Sequence, residues 1–193
     1  MMQLAPAPSV TLTINSPIDS PVESTWPDPP LRSSQVAIVG FADETRGEAP
    51  FEDPDTEIWI LNMLHAQVPR WDRLFELHDR ATIEAESAEE KRGTNHLAAL
   101  QAERTRPIYM VDPQLDIPMS RRMPVEALKA FLGPRCEKLE RTPYYTSTFA
   151  FMIASAVMGI VQRRQDPHVP EPGEVIHIAG VEMLNGEDRK SVV

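Results

Sequence analysis

The sequence has a single cysteine, Cys136. One cysteine builds no internal disulfide and no Cys-based zinc centre, and a reducing, intracellular setting is the simplest expectation. No base sits beside it to activate the thiol, so Cys136 reads as a bystander. Basic charge is also short. Nineteen Lys and Arg face 29 Asp and Glu, a formal net charge of −10. That disfavours broad binding to nucleic acid, which needs cations to displace counterions, and to anionic membranes. A local basic site for a small anion stays open. No apolar run reaches the ~20 residues of a spanning helix. The longest, Phe149 to Val161, is expected to be a buried helix. The first residues, MMQLAPAPSVTLT, lack the basic and apolar regions of a secretory signal, so a cytoplasmic location is expected. Neither GxGxxG nor GxxxxGK[ST] occurs. His65, His96, His168 and His177 share no metal-ligand spacing, so no metal site is expected.

What is present suffices for one domain. Of 193 residues, 41% are apolar and 25% charged, an ordinary globular balance. Residues 1–33 hold Pro6, Pro8, Pro17, Pro21, Pro27, Pro29 and Pro30. Proline lacks the backbone donor that helices and central strands need, so a disordered tail is expected, with Val10–Ile14 an edge strand at most. The domain is then residues 34–193. VAIVGF, from Val36, reads as a central parallel strand. Asp53-Pro54 reads as an N-cap and first helical residue, with a helix to about Gln67. Arg73–His78 is a second strand. The charged stretch after it is a helix broken at Gly93. Pro107–Asp112 is a third strand and the stretch after it, to Met123, a loop. A short helix, Pro124–Phe131, is stopped by Gly133-Pro134. Thr146 to about Val161 is the apolar helix, with Ser155 and Gly159 on one face for close packing. Val175–Met183 is a fourth strand. Strands alternating with helices predict a Rossmann-like α/β fold, a mostly parallel sheet flanked by helices.

Open parallel sheets bind ligands beyond the carboxyl ends of their strands. Four places fall there. Gly40 opens a loop in which Thr45 and Arg46 could bond a phosphate; the alternative is an ordinary strand-to-helix loop, and Asp43 and Glu44 are poor neighbours for an anion. Glu76 and His78 end the second strand, where an acid can accept ribose hydroxyls and a histidine can carry a proton; alternatively they pair with Arg73 or Arg80. Thr146, Ser147 and Thr148 open the apolar helix, whose free N–H groups favour an anion; a plain N-cap would need only one of them. Glu182 follows the last strand as an acid or base, a metal ligand, or merely an exposed terminal carboxylate. Trp59 and Trp71 are expected in the core.

Taken together, VAIVGFADETR, EIWILN, VPRWDRLFELHDR, PIYMVD, YYTSTFAFMIASAVMGI and IHIAGVEM resemble a family of small Rossmann-like proteins of tailed bacteriophages and prophages, a family without an assigned activity. The resemblance spans roughly residues 35–183. Its helix-then-strand ending is similar in turn to a segment of sialyltransferase-like enzymes and of glycosyltransferase-like domains linked to flagellin modification. There a Ser/Thr-rich helix start and a strand ending in Gly-Val-Asp lie at the nucleotide-sugar site. The resemblance thus implies ligand-binding roles for Gly40, Thr45, Arg46, Glu76, Thr146, Ser147 and Thr148, and catalytic roles for His78 and Glu182. The chain departs from the pattern at Glu182, which replaces Asp. Its proline-laden connection from Gln165 to Gly173 looks like an insertion. It also stops at Val193, before the acidic and aromatic segment with which the pattern continues.

The leading functional expectation is a nucleotide- or nucleotide-sugar-binding protein, glycosyltransferase-like if catalytic, inside a bacterial host. The competing one is a non-catalytic phage accessory protein that sequesters a nucleotide signal or serves in virion assembly. An NAD-type oxidoreductase is disfavoured by the missing GxGxxG. The cofactor, the acceptor and the oligomeric state, a homo-oligomer among the options, are left open.

Overall fold

The computed structural model describes residues 10–13, 29–89, 93–137, 147–164 and 175–181. Strands β1 (Val10–Thr13), β2 (Gln35–Val39), β3 (Thr56–Leu61), β4 (Arg73–Glu76), β5 (Ile108–Met110), β6 (Ser120–Arg122) and β7 (Val175–Ala179) form one sheet in the order β1-β7-β2-β3-β4-β5-β6. Six are parallel; β1 pairs antiparallel with β7 at one edge. From β2 the chain walks outward to β6, then crosses back to lay β7 between β2 and β1. The strand order therefore reverses between β2 and β7. Helices cover both faces, the Rossmann-like α/β arrangement that alternating elements predict.

The central strands are apolar on both sides because both sides are covered. Val36, Ile38, Trp59, Phe75, Tyr109 and Ile176 meet helices α4 (Val125–Glu137) and α5 (Thr148–Arg164) on one face. Ala37, Val39, Ile58, Ile60, Leu74, Ile108 and Met110 form the other core, with Ile83 of α2 (Arg80–Ala88) and Leu100 of α3 (His96–Ala102). Trp59 and Trp71 are buried, as expected. So are Ser155 and Gly159, the small residues that let α5 lie close to the sheet. No helix among the described residues is long and apolar enough to cross a membrane.

Three local expectations are corrected. Residues 54–67 are not a helix: Thr56–Leu61 is β3, and a 3-10 turn follows at Asn62–Ala66. TEIWIL suits a strand, and hydrogen bonding between β2 and β4 outweighs the capping signal before it. Asp53 instead closes a turn into the strand, accepting from the Asp55 N–H at 3.0 Å and from Thr56 Oγ1 at 2.7 Å. Helix α4 does not stop before Gly133-Pro134 but runs through them to Glu137. One lost hydrogen bond does not outweigh a helix anchored by buried Leu128 and Phe131. The loop after β5 contains a short edge strand, β6. By contrast, the break between α2 and α3 falls at Gly93, with φ +72°, as the glycine predicts.

Candidate functional site

At the point where the strand order reverses, β2 and β7 end in Gly40 and Gly180. Gly40 N–H donates to Ala179 O at 2.8 Å, and Ala42 N–H to Gly180 O at 2.8 Å. A Cβ on Gly40 would lie 2.3 Å from Gly180 O. Gly40 is thus small to admit another strand's backbone, a packing reason distinct from the ligand approach inferred from the sequence. Cε2 of Phe149, in the first turn of α5, also lies 3.0 Å from that Cβ position. The fold therefore brings Gly40 and the start of α5 together. Ser147 caps that helix through its hydroxyl, which accepts from Ala150 N–H at 3.3 Å. Thr148 is its first helical residue.

Thr45 and Arg46 lie in a four-residue helix, α1 (Asp43–Arg46). The Arg46 guanidinium is engaged within the protein. It pairs with Asp43 at 2.5 Å and donates to Phe41 O and Gln67 Oε1, each at 3.2 Å. Thr45 is buried, with no hydrogen-bond partner for Oγ1 among the described residues. Thr146 and Glu182, named from the sequence, lie outside the described residues.

The densest chemistry sits at the carboxyl end of β4. Alternation along RLFE sends Phe75 to one core and Glu76 to the face covered by α3, where its side chain is fully buried. A buried carboxylate needs compensation, and two histidines supply it. His78 Nδ1 lies 2.9 Å from Glu76 Oε1, an electrostatic contact off the line of a good hydrogen bond, while the His78 N–H donates to the same oxygen at 3.0 Å. His96 Nε2 is 2.6 Å from Glu76 Oε2, and His96 is itself fully buried. The far nitrogen of His96, Nδ1, meets His65 Nε2 at 2.9 Å. Those two rings are nearly coplanar, 13° apart, with centroids 5.1 Å apart, the spacing of rings joined edge to edge through such a bond. The result is one connected row: His65, His96, Glu76, His78.

Burial alone would raise the Glu76 pKa, but hydrogen bonds from His78 and His96 outweigh it and hold the carboxyl below its usual range. The Glu76 carboxylate against its ring raises the pKa of His78, against partial burial; Glu86 and Asp79 add to the rise. Burial, with His96 and Arg106 nearby, pushes His65 down to about 4. Of the row, His78 reaches solvent best, with its side chain 39% exposed. Because Nδ1 faces Glu76, Nε2 is its nitrogen available to a ligand.

Between Gly40 and His78 lies the end of β3. Asn62 there has φ +47°, a left-handed conformation that asparagine tolerates better than most residues. Its Oδ1 is buried without a hydrogen-bond partner among the described residues. Two interstrand spacings separate β2 from β4, roughly 10 Å, a span suited to a small ligand.

A second polar network occupies the opposite, amino-terminal end of the sheet. Arg73 Nε donates to Glu57 Oε2 at 2.7 Å, Nη1 to Tyr109 Oη at 2.7 Å and Pro29 O at 2.6 Å, and Nη2 to Pro30 O at 2.8 Å and Glu57 Oε1 at 3.3 Å. All five guanidinium donors have acceptors. Leu31 joins the core beside them. The network ties residues 29–31, part of the stretch read as tail, to the sheet.

Sequence reasoning brought Glu76 and His78 together but missed His65, His96 and Asn62. The one available signal was an acid at the end of a short central strand, which had to find buried partners. Among the described residues no group of His, Cys, Asp and Glu is arranged to hold a metal. Comparison with protein-family models, curated proteins and solved structures finds no match. The site's own geometry is therefore what bears on function.

Proposed function

We propose that the protein binds a nucleotide or nucleotide sugar across the carboxyl ends of β2, β3 and β4, and that His78 transfers a proton there. The observation that carries this reading is the buried Glu76 carboxylate against His78 Nδ1. A carboxylate so placed stabilises the cation that forms when the imidazole takes a proton. The start of α5 beside Gly40 would face the ligand's phosphates with N–H groups and the Ser147 and Thr148 hydroxyls. With Arg46 engaged, anion binding falls to the helix start and to His78. That the ligand is a nucleotide sugar, and the reaction glycosyl transfer, rests on the resemblance to sialyltransferase-like segments.

A thermal-shift panel of nucleotides and nucleotide sugars tests binding through ligand linkage. The expected result is a rise in Tm with at least one phosphate-bearing ligand, weakened in His78→Ala. A flat response across the panel would sink the proposal.

The second reading is a non-catalytic binder of a small anion. The raised pKa of His78 favours it, because an imidazolium held by Glu76 serves as a fixed cation. The two readings part at His78→Gln: a binder that uses the imidazolium as its cation loses affinity, whereas a proton-transferring enzyme loses turnover while still binding.

A further inference from the structure

The other end of the histidine row opens on a different cavity. A cleft of about 220 Å³ lies between residues 68–71 and the connection from α3 to β5, with His65 in its wall. Val68, Trp71, Leu74, Leu100 and Ile108 give it apolar sides. Its charges are already matched. Arg106 lies over Trp71, 3.7 Å from the ring centroid, and its Nε donates to Glu103 at 2.8 Å. Arg70 donates to Phe51 O at 2.6 Å and pairs with Asp72 at 3.0 Å. An ion entering the cleft would find no unmatched opposite charge among these groups.

The hydrogen-bond row sets the polarity of His65. Glu76 is an acceptor, so His96 carries its proton on Nε2. With one proton per ring, His96 Nδ1 is then a lone pair, and it takes the proton of His65 Nε2. His65 Nδ1 is left as a lone pair too, and no hydrogen bond among the described residues uses it. The low pKa of His65 agrees with a ring kept neutral. Each acceptor along the row is polarised by the next, towards the carboxylate.

We infer that this cleft is a ligand site for a small neutral aromatic carrying a hydrogen-bond donor, of the size and chemistry of phenol, which gives its O–H or N–H to His65 Nδ1. The volume fits, since an apolar cavity of ~150 Å³ takes benzene. The site shares Glu76 with the His78 site but does not depend on the nucleotide reading.

Imidazole ¹⁵N–¹H correlation spectra of the full chain test it without any substitution. Both His65 and His96 should carry the proton on Nε2. Phenol should shift the His65 ring signals saturably. Anisole, the same ring without a donor, should bind roughly tenfold more weakly, the worth of one hydrogen bond. A proton on His65 Nδ1, equal binding of phenol and anisole, or no response of His65 to phenol would each overturn the inference.

Discussion

Gly40 and Gly180 each occupy the space that a Cβ on the other would need: the Cβ positions fall 2.3 Å from Gly180 O and 2.4 Å from Gly40 O. Both obstacles are backbone atoms held by the hydrogen bonds that join β2 to β7, so neither can swing aside. Gly180 also sits at φ +70°, where a side chain adds roughly 1–2 kcal/mol of strain. Gly180→Ala should therefore lower stability by about 3 kcal/mol or more, overpacking and strain together. Gly40→Ala, without the strain, should cost less. Urea unfolding of both variants checks this, and a loss below about 0.5 kcal/mol at Gly180 would contradict the close crossing.

Replacing Glu76 by Gln keeps the volume and removes the charge. His78 loses the largest cause of its raised pKa and should titrate closer to ~6.5. His96 loses a charge-assisted acceptor, so stability should fall by about 2 kcal/mol. An NMR titration of the His78 ring reads the first effect. A midpoint unchanged by Glu76→Gln would mean that the carboxylate does not act on His78.

Acid should destabilise the fold before ordinary carboxylates titrate. His65 has a folded pKa of about 4 against roughly 6.5 when unfolded. Between those values the unfolded chain binds a proton that the native one refuses, so stability falls as pH drops from about 6.5 to 4. Partial exposure of His65 limits the loss to no more than about 2 kcal/mol. Glu76, with its pKa lowered, adds a further loss below about 4.5 as it protonates. His78 works in the other direction: its stabilisation is complete below about 6.5 and fades as pH rises through its raised pKa. Stability should thus peak near neutrality. In His65→Gln, whose amide can still donate to His96, the decline between pH 6.5 and 4 should shrink. An identical pH profile for parent and variant would argue against a neutral His65.

At the amino-terminal end, Arg73→Leu strands the buried Glu57 carboxylate and should cost about 3–5 kcal/mol. Glu57→Leu combined with Arg73→Leu should recover part of this, because no lone charge stays buried. A double variant no more stable than Arg73→Leu alone would place the weight on the bonds from Arg73 to Pro29, Pro30 and Tyr109 instead.

The sequence by itself determined the class of fold. Continuous apolar runs such as VAIVG and VIHIA mark strands buried on both faces, and stretches long enough for helices separate several of them. It also placed Glu76 and His78 at one strand end, because they stand two residues apart. Tertiary structure decided the rest. Whether TEIWIL became helix or strand depended on β2 and β4 hydrogen bonding to it, information that no local window holds. Gly40 reads in isolation as room for a ligand, and its partner, Gly180, lies 140 residues away. His96 and His65 lack any motif because they meet through space, 31 residues apart, once α3 covers Glu76. A buried charge must find partners, but which ones it finds is fixed by how the helices pack.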